Sequence, residues 1–417
     1  MKFEVTIAKN EEYSLVINNI NIYSKYNPRA DAIKFILKEY DENAKGYLLL
    51  GLGLGYHLEQ LIKLEPDKKI KVLIIDQKEV EIYNNFSSDS SLILNENVEL
   101  IVYGKIKLNS IDIQPIIPIP FMKAIGYEHF LYPFLEDIKI KQMSIETFEV
   151  ELEKNFSNNI LNNDPSINNF CKISNGKTGI LISAGPSLDK SISVLERIQS
   201  KAFVLCVGSS LNILLEKNII PDAVIITDPS PLVVEQILDT NYKGLLFYLA
   251  TANHEMTRTH LGKKVILFQK GYPLSEEYAK NHKLGLIDTG GSVATTAVSL
   301  MEYMGFEKLC LFGQDFGYQG KFTHSKSSTS NVVLEDPNNL RKVIANSGEY
   351  INTRADLNIF RRWFEKKAIK TKMKIFNSAW SGAKVEGMPF ISRNEIIELF
   401  LNLPRNNKAF LVENIDD

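Results

Sequence analysis

The sequence predicts an α/β protein with largely parallel sheets. Short runs of aliphatic and β-branched residues, such as Gly46 to Leu50 and Ala223 to Thr227, alternate with helical stretches through most of the chain. This alternation is typical of strand–helix–strand units, whose strands run parallel. The chain has 417 residues, which exceeds the length at which a single hydrophobic core usually divides, so we expect two domains.

Composition argues against a nucleic-acid-binding surface spread over the whole fold, because 48 basic residues are balanced by 50 acidic ones. No stretch approaches the roughly 18 consecutive apolar residues that cross a bilayer, and the N-terminus does not resemble a signal peptide. The three cysteines, Cys171, Cys206 and Cys310, are odd in number and lack the spacing of metal ligands. Cys206 and Cys310 lie in apolar, strand-like runs. We therefore expect a cytoplasmic protein with buried, reduced thiols.

The N-terminal part opens on a glycine-rich turn. A strand over residues 46–50 runs into Gly51-Leu52-Gly53-Leu54-Gly55, followed by a helix over 56–64 and a strand over 70–75 that ends at Asp76. Glycines after a first strand and an acid after the second resemble the nucleotide sites of methyltransferases and dehydrogenases. The spacing is G-x-G-x-G rather than G-x-G-x-x-G, so a live cofactor site and a module kept for shape or docking remain equally open.

Proline marks the region that follows. Residues 111–135 contain Pro115, Pro118, Pro120 and Pro133, and proline removes backbone donors, so we predict a loop or an irregular domain edge there. The remaining predictions for this half are strands over 3–7 and 98–103 and helices over 30–40 and 144–161.

A longer series of strands and helices follows in the C-terminal part of the chain. It contains a polar loop, residues 316–353, and loops of this length are usually functional. Strands are predicted at 178–183, 202–207, 223–227, 244–249, 264–268, 286–288, 309–312 and 372–376, with helices at 187–198, 292–304 and 394–403. The expected domains are an N-terminal domain (1–140), a linker helix (141–170), a central domain (171–390) and a C-terminal helix with tail (391–417).

The turn Gly185-Pro186-Ser187 directly follows a predicted strand. Glycine permits a sharp turn, proline fixes φ, and serine caps a helix whose free N–H groups attract phosphate. A plain strand-to-helix turn explains the spacing equally well. A second such junction is Gly290-Gly291-Ser292, where tight helix packing is the alternative reading.

Other polar residues follow predicted strands, where ligands of open α/β sheets bind. Ser209 permits close approach of a ligand, and Asp228 could hold a sugar hydroxyl or a cation, although no DxD motif specifies a metal. Gln314 and Asp315 follow a later strand. His324 is the best candidate for a base among six histidines, against the simpler reading of a surface residue.

Four segments in this order resemble one family, the motility-associated factor (Maf) flagellin glycosyltransferases. They are SAGPSLDK, VGSSLNILLEKNIIPDAVIITDP, DTGGSVATTAVSLMEYMGFEKLCLFGQDFGYQGKFTH and NSAWSGAKVEGMPF, within residues 170–390. The family shares its central domain with archaeal hydroxymethylpterin pyrophosphokinases of the MptE type. GLGLGYH resembles its N-terminal domain. The resemblance implies two Rossmann-like domains with mostly parallel sheets, the central one similar to bacterial CMP-sialyltransferases (GT-A-like).

The resemblance also implies an activity: transfer of pseudaminic, legionaminic or a related nonulosonic acid from its CMP-activated form to Ser or Thr of flagellin. Partners would be flagellin and the CMP-sugar donor, without nucleic acid or a membrane span; no cofactor is certain, and a divalent cation is left open. The implied CMP-binding residues are Gly185, Pro186, Ser187, Ser209, Asp228, Gly290, Gly291 and Ser292, and those beside the reacting sugar are Gln314, Asp315 and His324.

The chemistry suits these residue types. Cleaving the anomeric bond passes through an oxocarbenium-like state, helix N-termini stabilise the departing phosphate, and His324 or Asp315 would take the proton of the acceptor hydroxyl. The alternatives are an ATP-dependent pterin pyrophosphokinase of the MptE type and a non-catalytic flagellin-binding factor. The transferase reading expects backbone amides at 185–187 and 290–292 to converge on one phosphate.

Overall fold

The computed structural model describes residues 1–102, 113–237, 240–325, 328 and 340–403, without the side chains of 140–146. The chain is an α/β protein that divides into two compact units, Met1–Met143 and Ser144–Asp417. Along the described ranges, no helix is both long and apolar enough to span a membrane.

The described part of the first unit holds two sheets, one antiparallel with the order β1-β2-β3 and one parallel with the order β6-β5-β4-β7. The strands are β1 Phe3–Ile7, β2 Tyr13–Ile17, β3 Ile20–Asn21, β4 Gly46–Leu50, β5 Lys69–Ile74, β6 Val98–Val102 and β7 Ile113–Ile116; the helices are α1 Pro28–Glu39, α2 Tyr56–Leu64, α3 Lys78–Phe86 and α4 Ile119–Ile125. Helix α5, Tyr132–Asn159, begins in this unit and ends in the second.

The proline-rich segment is more regular than predicted, since it forms β7, α4 and the start of α5. Pro115 is tolerated because β7 lies at the edge of the sheet and pairs with β4. Pro118 is the N-cap of α4, and Pro120 lies in its first turn, where a missing N–H removes no helical hydrogen bond. Pro133 likewise lies in the first turn of α5. The prediction of a loop or an irregular domain edge was therefore wrong for the residues that form β7, α4 and the start of α5.

In the described part of the second unit, eight parallel strands form one sheet with the order β13-β12-β11-β10-β9-β8-β14-β17, beside the antiparallel hairpin β15-β16. The strands are β8 Thr178–Ile182, β9 Phe203–Val207, β10 Ala223–Ile226, β11 Leu245–Leu249, β12 Lys264–Gln269, β13 Leu286–Ile287, β14 Lys308–Phe312, β15 Arg341–Ile344, β16 Tyr350–Thr353 and β17 Lys374–Asn377. The helices are α6 Ile192–Ile198, α7 Gly208–Glu216, α8 His254–Thr259, α9 Pro273–His282, α10 Val293–Tyr303, α11 Ala355–Lys370 and α12 Arg393–Leu401.

Helices cover both faces of this sheet, so its strands are apolar on both sides. Every residue of β8, β9, β10 and β11 is buried. Phe156 of α5 and Phe400 of α12 join the same core, and Cys206 and Cys310 are buried within β9 and β14. Because the strands are parallel, their carboxyl ends meet at one edge, and the candidate site lies there.

Two loops near that edge differ from the prediction. The helix expected over 187–198 is a 3-10 turn, Pro186–Lys190, followed by the short α6. The turn is tight because Leu188 N–H donates to the Gly185 carbonyl and Ser191 N–H to the Leu188 carbonyl. The long loop expected over 316–353 contains the hairpin β15-β16; residues 326–339, apart from 328, lie outside the described residues.

Candidate functional site

A buried carboxylate forms the centre of the candidate site. Asp315 follows β14 and is 2% exposed. Its Oδ2 accepts hydrogen bonds from the Ser187 hydroxyl (2.7 Å) and the Ser187 N–H (3.2 Å), and its Oδ1 accepts from Gln319 Nε2 (3.0 Å). Neighbouring Gln314 accepts from the Ser183 hydroxyl (2.8 Å). The structure thus joins the ends of β8 and β14 through polar side chains.

Burial raises the pKa of Asp315 to about 6, against the lowering effect of the Ser187 and Gln319 hydrogen bonds and the Lys190 charge. A carboxyl group with a pKa near neutrality can hold and release a proton during a reaction. Gly185 permits this arrangement, because a Cβ at that position would collide with the Asp315 carboxylate and the Gly313 carbonyl.

The amides at the two strand-to-helix junctions are engaged by side chains, contrary to the expectation that they await a phosphate. Ser187 N–H donates to Asp315, and the N–H groups of Gly290 and Ser292 donate to the Thr295 hydroxyl at 2.9 and 3.3 Å. Ser292 and Thr295 form a capping box on α10.

The sheet order also separates the two junctions. β13, which precedes Gly290 to Ser292, is five places from β8, so their strand ends are about 24 Å apart at the usual spacing. Gly290 and Gly291 instead lie against Trp363 and Phe360 of α11. The described contacts therefore do not bring 290–292 together with 185–187.

Ser209 and Asp228 follow β9 and β10, next to β8 in the sheet. Ser209 lies in the first turn of α7, and its carbonyl accepts from the Ser328 hydroxyl (3.4 Å). Asp228 is exposed, and its carboxylate accepts from Ser230 N–H (2.8 Å) as part of a turn. No three His, Cys, Asp or Glu side chains in the described ranges form a group that could hold a metal ion.

His324 lies on a segment that crosses the end of β8, where Ser325 N–H donates to the Ala184 carbonyl (2.7 Å). Its Nδ1 is 2.9 Å from the Thr323 hydroxyl. Burial, together with the charge of Arg354, lowers the pKa of His324 to about 4. His324 is therefore half-buried and neutral at physiological pH, rather than an exposed loop residue.

A cavity of about 470 Å³ opens at the ends of β8, β14 and β17. Its lining includes Ser187, Lys190, Gln319, Trp380, Phe390 and Arg393. Of these residues only Ser187 was predicted as a site residue. Lys190, Gln319, Trp380 and Phe390 lie within the four segments that resemble the Maf family, whereas Arg393, on α12, lies outside them and no sequence pattern indicated it. Lys384, another cation of the last quoted segment, forms an exposed ion pair with Glu386 (3.3 Å).

The glycine turn of the first unit is filled from within. Added Cβ atoms at Gly51, Gly53 and Gly55 would collide with the aromatic side chains of Phe121, Tyr23 and Tyr83, respectively. All three glycines have positive φ, which favours glycine.

The amides around this turn bind a buried acid, Glu79. Its carboxylate accepts from Gly53 N–H (2.8 Å) and Ile75 N–H (3.0 Å), while Leu54 N–H donates to the Tyr23 hydroxyl (3.1 Å). Glu79 is fully buried, which raises its pKa to about 7. Asp76 binds the N-terminal ammonium at 3.4 Å. These contacts favour a module kept for shape over a live cofactor site.

The second unit is thus a doubly covered parallel α/β domain with a polar cluster and a cavity at its carboxyl edge. Residues 153–321 match the family described as 6-hydroxymethylpterin diphosphokinase MptE-like. The whole chain has a fold similar to the solved structure of the Maf glycosyltransferase from Magnetospirillum magneticum AMB-1, at a TM-score of 0.52 and 14% identity, with 100% of this chain and 73% of that one covered. No curated protein matches the sequence.

These comparisons agree with the two resemblances found in the sequence. The match to the MptE-like family lies within the second unit and contains Ser187, Asp228 and Asp315. The likeness to the Maf glycosyltransferase, at this identity, shows a shared α/β fold.

Proposed function

We propose that the protein is a glycosyltransferase of the Maf type. It moves a nonulosonic acid, such as pseudaminic or legionaminic acid, from its CMP-activated form to a Ser or Thr hydroxyl of flagellin. The fold shared with a Maf glycosyltransferase supports the class. The observation that carries the chemistry is the buried Asp315 carboxylate, hydrogen-bonded to a serine that lines a cavity.

In this proposal Asp315 is the base and Ser187 passes the proton. The acceptor hydroxyl gives its proton to the Ser187 oxygen while Ser187 gives its own proton to Asp315. The acceptor oxygen then bonds to the anomeric carbon, and CMP leaves with the electron pair of the broken C–O bond. Asp315, with a pKa of about 6, suits this step better than His324, with a pKa of about 4, because it lies closer to neutral pH.

The direct test is transfer to flagellin. The purified protein is incubated with flagellin and, separately, the CMP conjugates of pseudaminic, legionaminic and N-acetylneuraminic acid, and intact flagellin is weighed by mass spectrometry. We expect a mass increase of one or more sugar residues with at least one donor, and none with Asp315→Asn. A folded protein that modifies flagellin with none of the three donors contradicts the proposal.

The match of residues 153–321 to the MptE-like family favours a second candidate, an ATP-dependent pterin pyrophosphokinase. This activity would convert ATP and 6-hydroxymethylpterin to AMP and the pterin diphosphate. If AMP forms only when the pterin is present, as detected by chromatography, the pyrophosphokinase replaces the transferase as the proposed function.

Flagellin that binds the protein yet never gains mass from any donor would instead indicate a non-catalytic flagellin-binding factor.

A further inference from the structure

The cavity beside Ser187 has a cationic wall. Its described lining residues include Lys190 and Arg393 but no aspartate or glutamate. The described residues provide no hydrogen-bond or ion-pair partner for the Lys190 ammonium, which lies on the exposed end of the 3-10 turn. The Lys190 charge acts on the buried Asp315 carboxylate behind Ser187, but no acidic side chain is among the described lining residues. A cavity lined by cations without acids attracts anions, since low-dielectric walls concentrate the field.

Arg393 stands where helix electrostatics would not place a cation. It is the first residue of α12, and the positive end of the helix dipole disfavours a positive charge there. Its guanidinium donates to the Lys190 carbonyl, which holds it beside the lysine segment. The acid of that turn, Glu395, is engaged by the N–H (2.8 Å) and hydroxyl of Ser392 as part of a capping box. Helix stability therefore does not explain the position of Arg393.

An aromatic surface completes the cavity. Trp380 packs edge-to-face on Phe390, with ring centroids 4.9 Å apart, yet 53% of Trp380 remains exposed. Packing on Phe390 orients the indole while leaving much of it open to a ligand. Such a surface suits a sugar ring or a nucleobase. Ser187, Ser191 and Ser378 also line the cavity. Their hydroxyls donate to Asp315 and to the carbonyls of Ser187 and Leu311, so they offer acceptors to the hydroxyl groups of a ligand while Lys190 and Arg393 supply the positive charge.

We infer that this cavity binds a ring-bearing oxyanion, with Lys190 and Arg393 pairing the anion and Trp380 packing against the ring. Its volume of about 470 Å³ lies within the range of small-molecule sites. The anion can be the carboxylate of an acid sugar or the phosphate of a nucleotide. The choice between a sugar carboxylate and a nucleotide phosphate as the anion rests on the proposed function, whereas the inference that the cavity is cationic does not.

Calorimetric titration of the full-length protein tests the inference with three probes: CMP, cytidine and N-acetylneuraminic acid. Binding of CMP but not cytidine indicates a phosphate ligand, and binding of N-acetylneuraminic acid indicates a carboxylate. We expect at least one of the two anions to bind. Lys190→Ala or Arg393→Ala should weaken that binding at least tenfold, and Trp380→Ala should weaken it severalfold. The matched control, Lys384→Ala, removes an exposed lysine outside the cavity and should change affinity less than twofold.

Salt provides a measurement that needs no variant. Raising NaCl from 50 to 500 mM should weaken binding of the anion severalfold, because screening acts on exposed charge pairs. The inference is overturned if neither anion binds, or if binding survives both cation variants and high salt. Transfer to flagellin is scored separately: failed transfer with intact anion binding rejects the proposed function alone, and successful transfer with unchanged binding in both variants rejects the anion site alone.

Discussion

Asp315 accepts three hydrogen bonds in a nearly solvent-free position. The balance between its protonated and ionised forms depends on this burial and on these hydrogen bonds. Burial penalises the carboxylate, whereas the donors from Ser187 and Gln319 support it. The pKa of about 6 means that the ionised form, present at neutral pH, costs folding free energy. With a reference value of 3.8, the shift corresponds to a cost on the order of 3 kcal/mol.

Asp315→Asn should therefore remove turnover without lowering stability. The folded state binds the Asp315 proton more tightly than the unfolded state, so the stability of the wild type falls as pH rises from about 4 to about 6. We expect the melting temperature of Asp315→Asn to equal or exceed that of the wild type at pH 7, and the difference to shrink at pH 5. Scanning calorimetry at both pH values measures it, with Asp228→Asn, an exposed turn residue, as control. A variant at least 5 °C less stable than the wild type at pH 7 would contradict this account.

His324→Ala should reduce turnover, because the histidine lies on the segment that crosses the end of β8 beside Ser187. CMP binding should stay nearly intact, because His324 lies outside the described residues that line the cavity. Since its pKa is lowered to about 4, His324 is neutral throughout the range of pH 6 to 8, and its protonation should produce no inflection in kcat there. Steady-state kinetics and CMP titration of the same variant check both points. Equal losses in turnover and in CMP affinity would mean that His324 binds the nucleotide or supports the fold.

At this scale the sequence indicated where polar residues follow strands, but not what they contact. Ser187, Gln314 and Asp315 lie together because β8 and β14 are adjacent strands. The family resemblance implied that these residues share a site, but the order of the motifs along the chain does not predict which strands are neighbours. The hydrogen bond from Ser187 N–H to Asp315 joins residues 128 positions apart, and no local pattern encodes it. The placement of Arg393 beside Lys190 depends on tertiary packing of α12 in the same way.

Among the elements, α5 is anchored to the second unit by asparagines rather than by apolar contact alone. Asn159 is fully buried; its amide donates to the carbonyls of Ala250 (2.9 Å) and Ala252 (2.7 Å), and its oxygen accepts from the Thr257 hydroxyl (2.7 Å). Asn159, at the end of α5, thereby provides hydrogen-bond donors for the carbonyl groups of the loop that follows β11.

Asn159→Leu should lower the free energy of unfolding by about 2 to 4 kcal/mol, because it leaves two carbonyls and one hydroxyl without these partners. Urea unfolding followed by circular dichroism provides the number. The control is Asn158→Leu, which changes an exposed residue at the adjacent position and should shift stability by less than about 1 kcal/mol. Similar losses in the two variants would indicate an effect of helix composition instead of the buried hydrogen bonds.

Element types were predictable wherever apolar periodicity was strong. β1 and α2 match their predicted ranges, and the eight strands of the second sheet lie within two residues of theirs. The prediction was wrong where edge position and capping made proline acceptable, in β7 and α4. Strands β2 and β3, which pair with β1 in a small antiparallel sheet, were not predicted, because their short runs carry no strong alternation.

For the whole molecule, the chain contains two parallel α/β units that differ in how their strand ends are used. In the second unit, a cavity opens at the carboxyl ends. In the first, aromatic rings and Glu79 fill the equivalent turn. Topology of this kind therefore does not by itself predict a nucleotide site.

We accordingly expect a single class of CMP sites, one per chain, and no saturable binding of S-adenosylmethionine or NAD. Calorimetric titrations of the intact protein with the three compounds give the stoichiometries. If the cavity takes the phosphate of CMP, the double variant Lys190→Ala with Arg393→Ala should abolish the CMP signal. With either anion, the titrations with S-adenosylmethionine and NAD should stay flat. Saturable heat from S-adenosylmethionine or NAD would show that the glycine turn opens to ligands.

The glycine turn binds a carboxylate of its own chain, that of Glu79. Glu79→Ala should vacate a small hole in which the N–H groups of Gly53 and Ile75 still converge, and should cost about 2 to 4 kcal/mol of stability. Formate or acetate from the buffer could then occupy that hole, so millimolar amounts should restore part of the lost melting temperature. The neighbouring Glu81→Ala, which alters an exposed acid on the same helix, should show neither the loss nor the recovery. If the melting temperature of Glu79→Ala is lowered and neither formate nor acetate raises it, the turn collapses once its internal anion is removed.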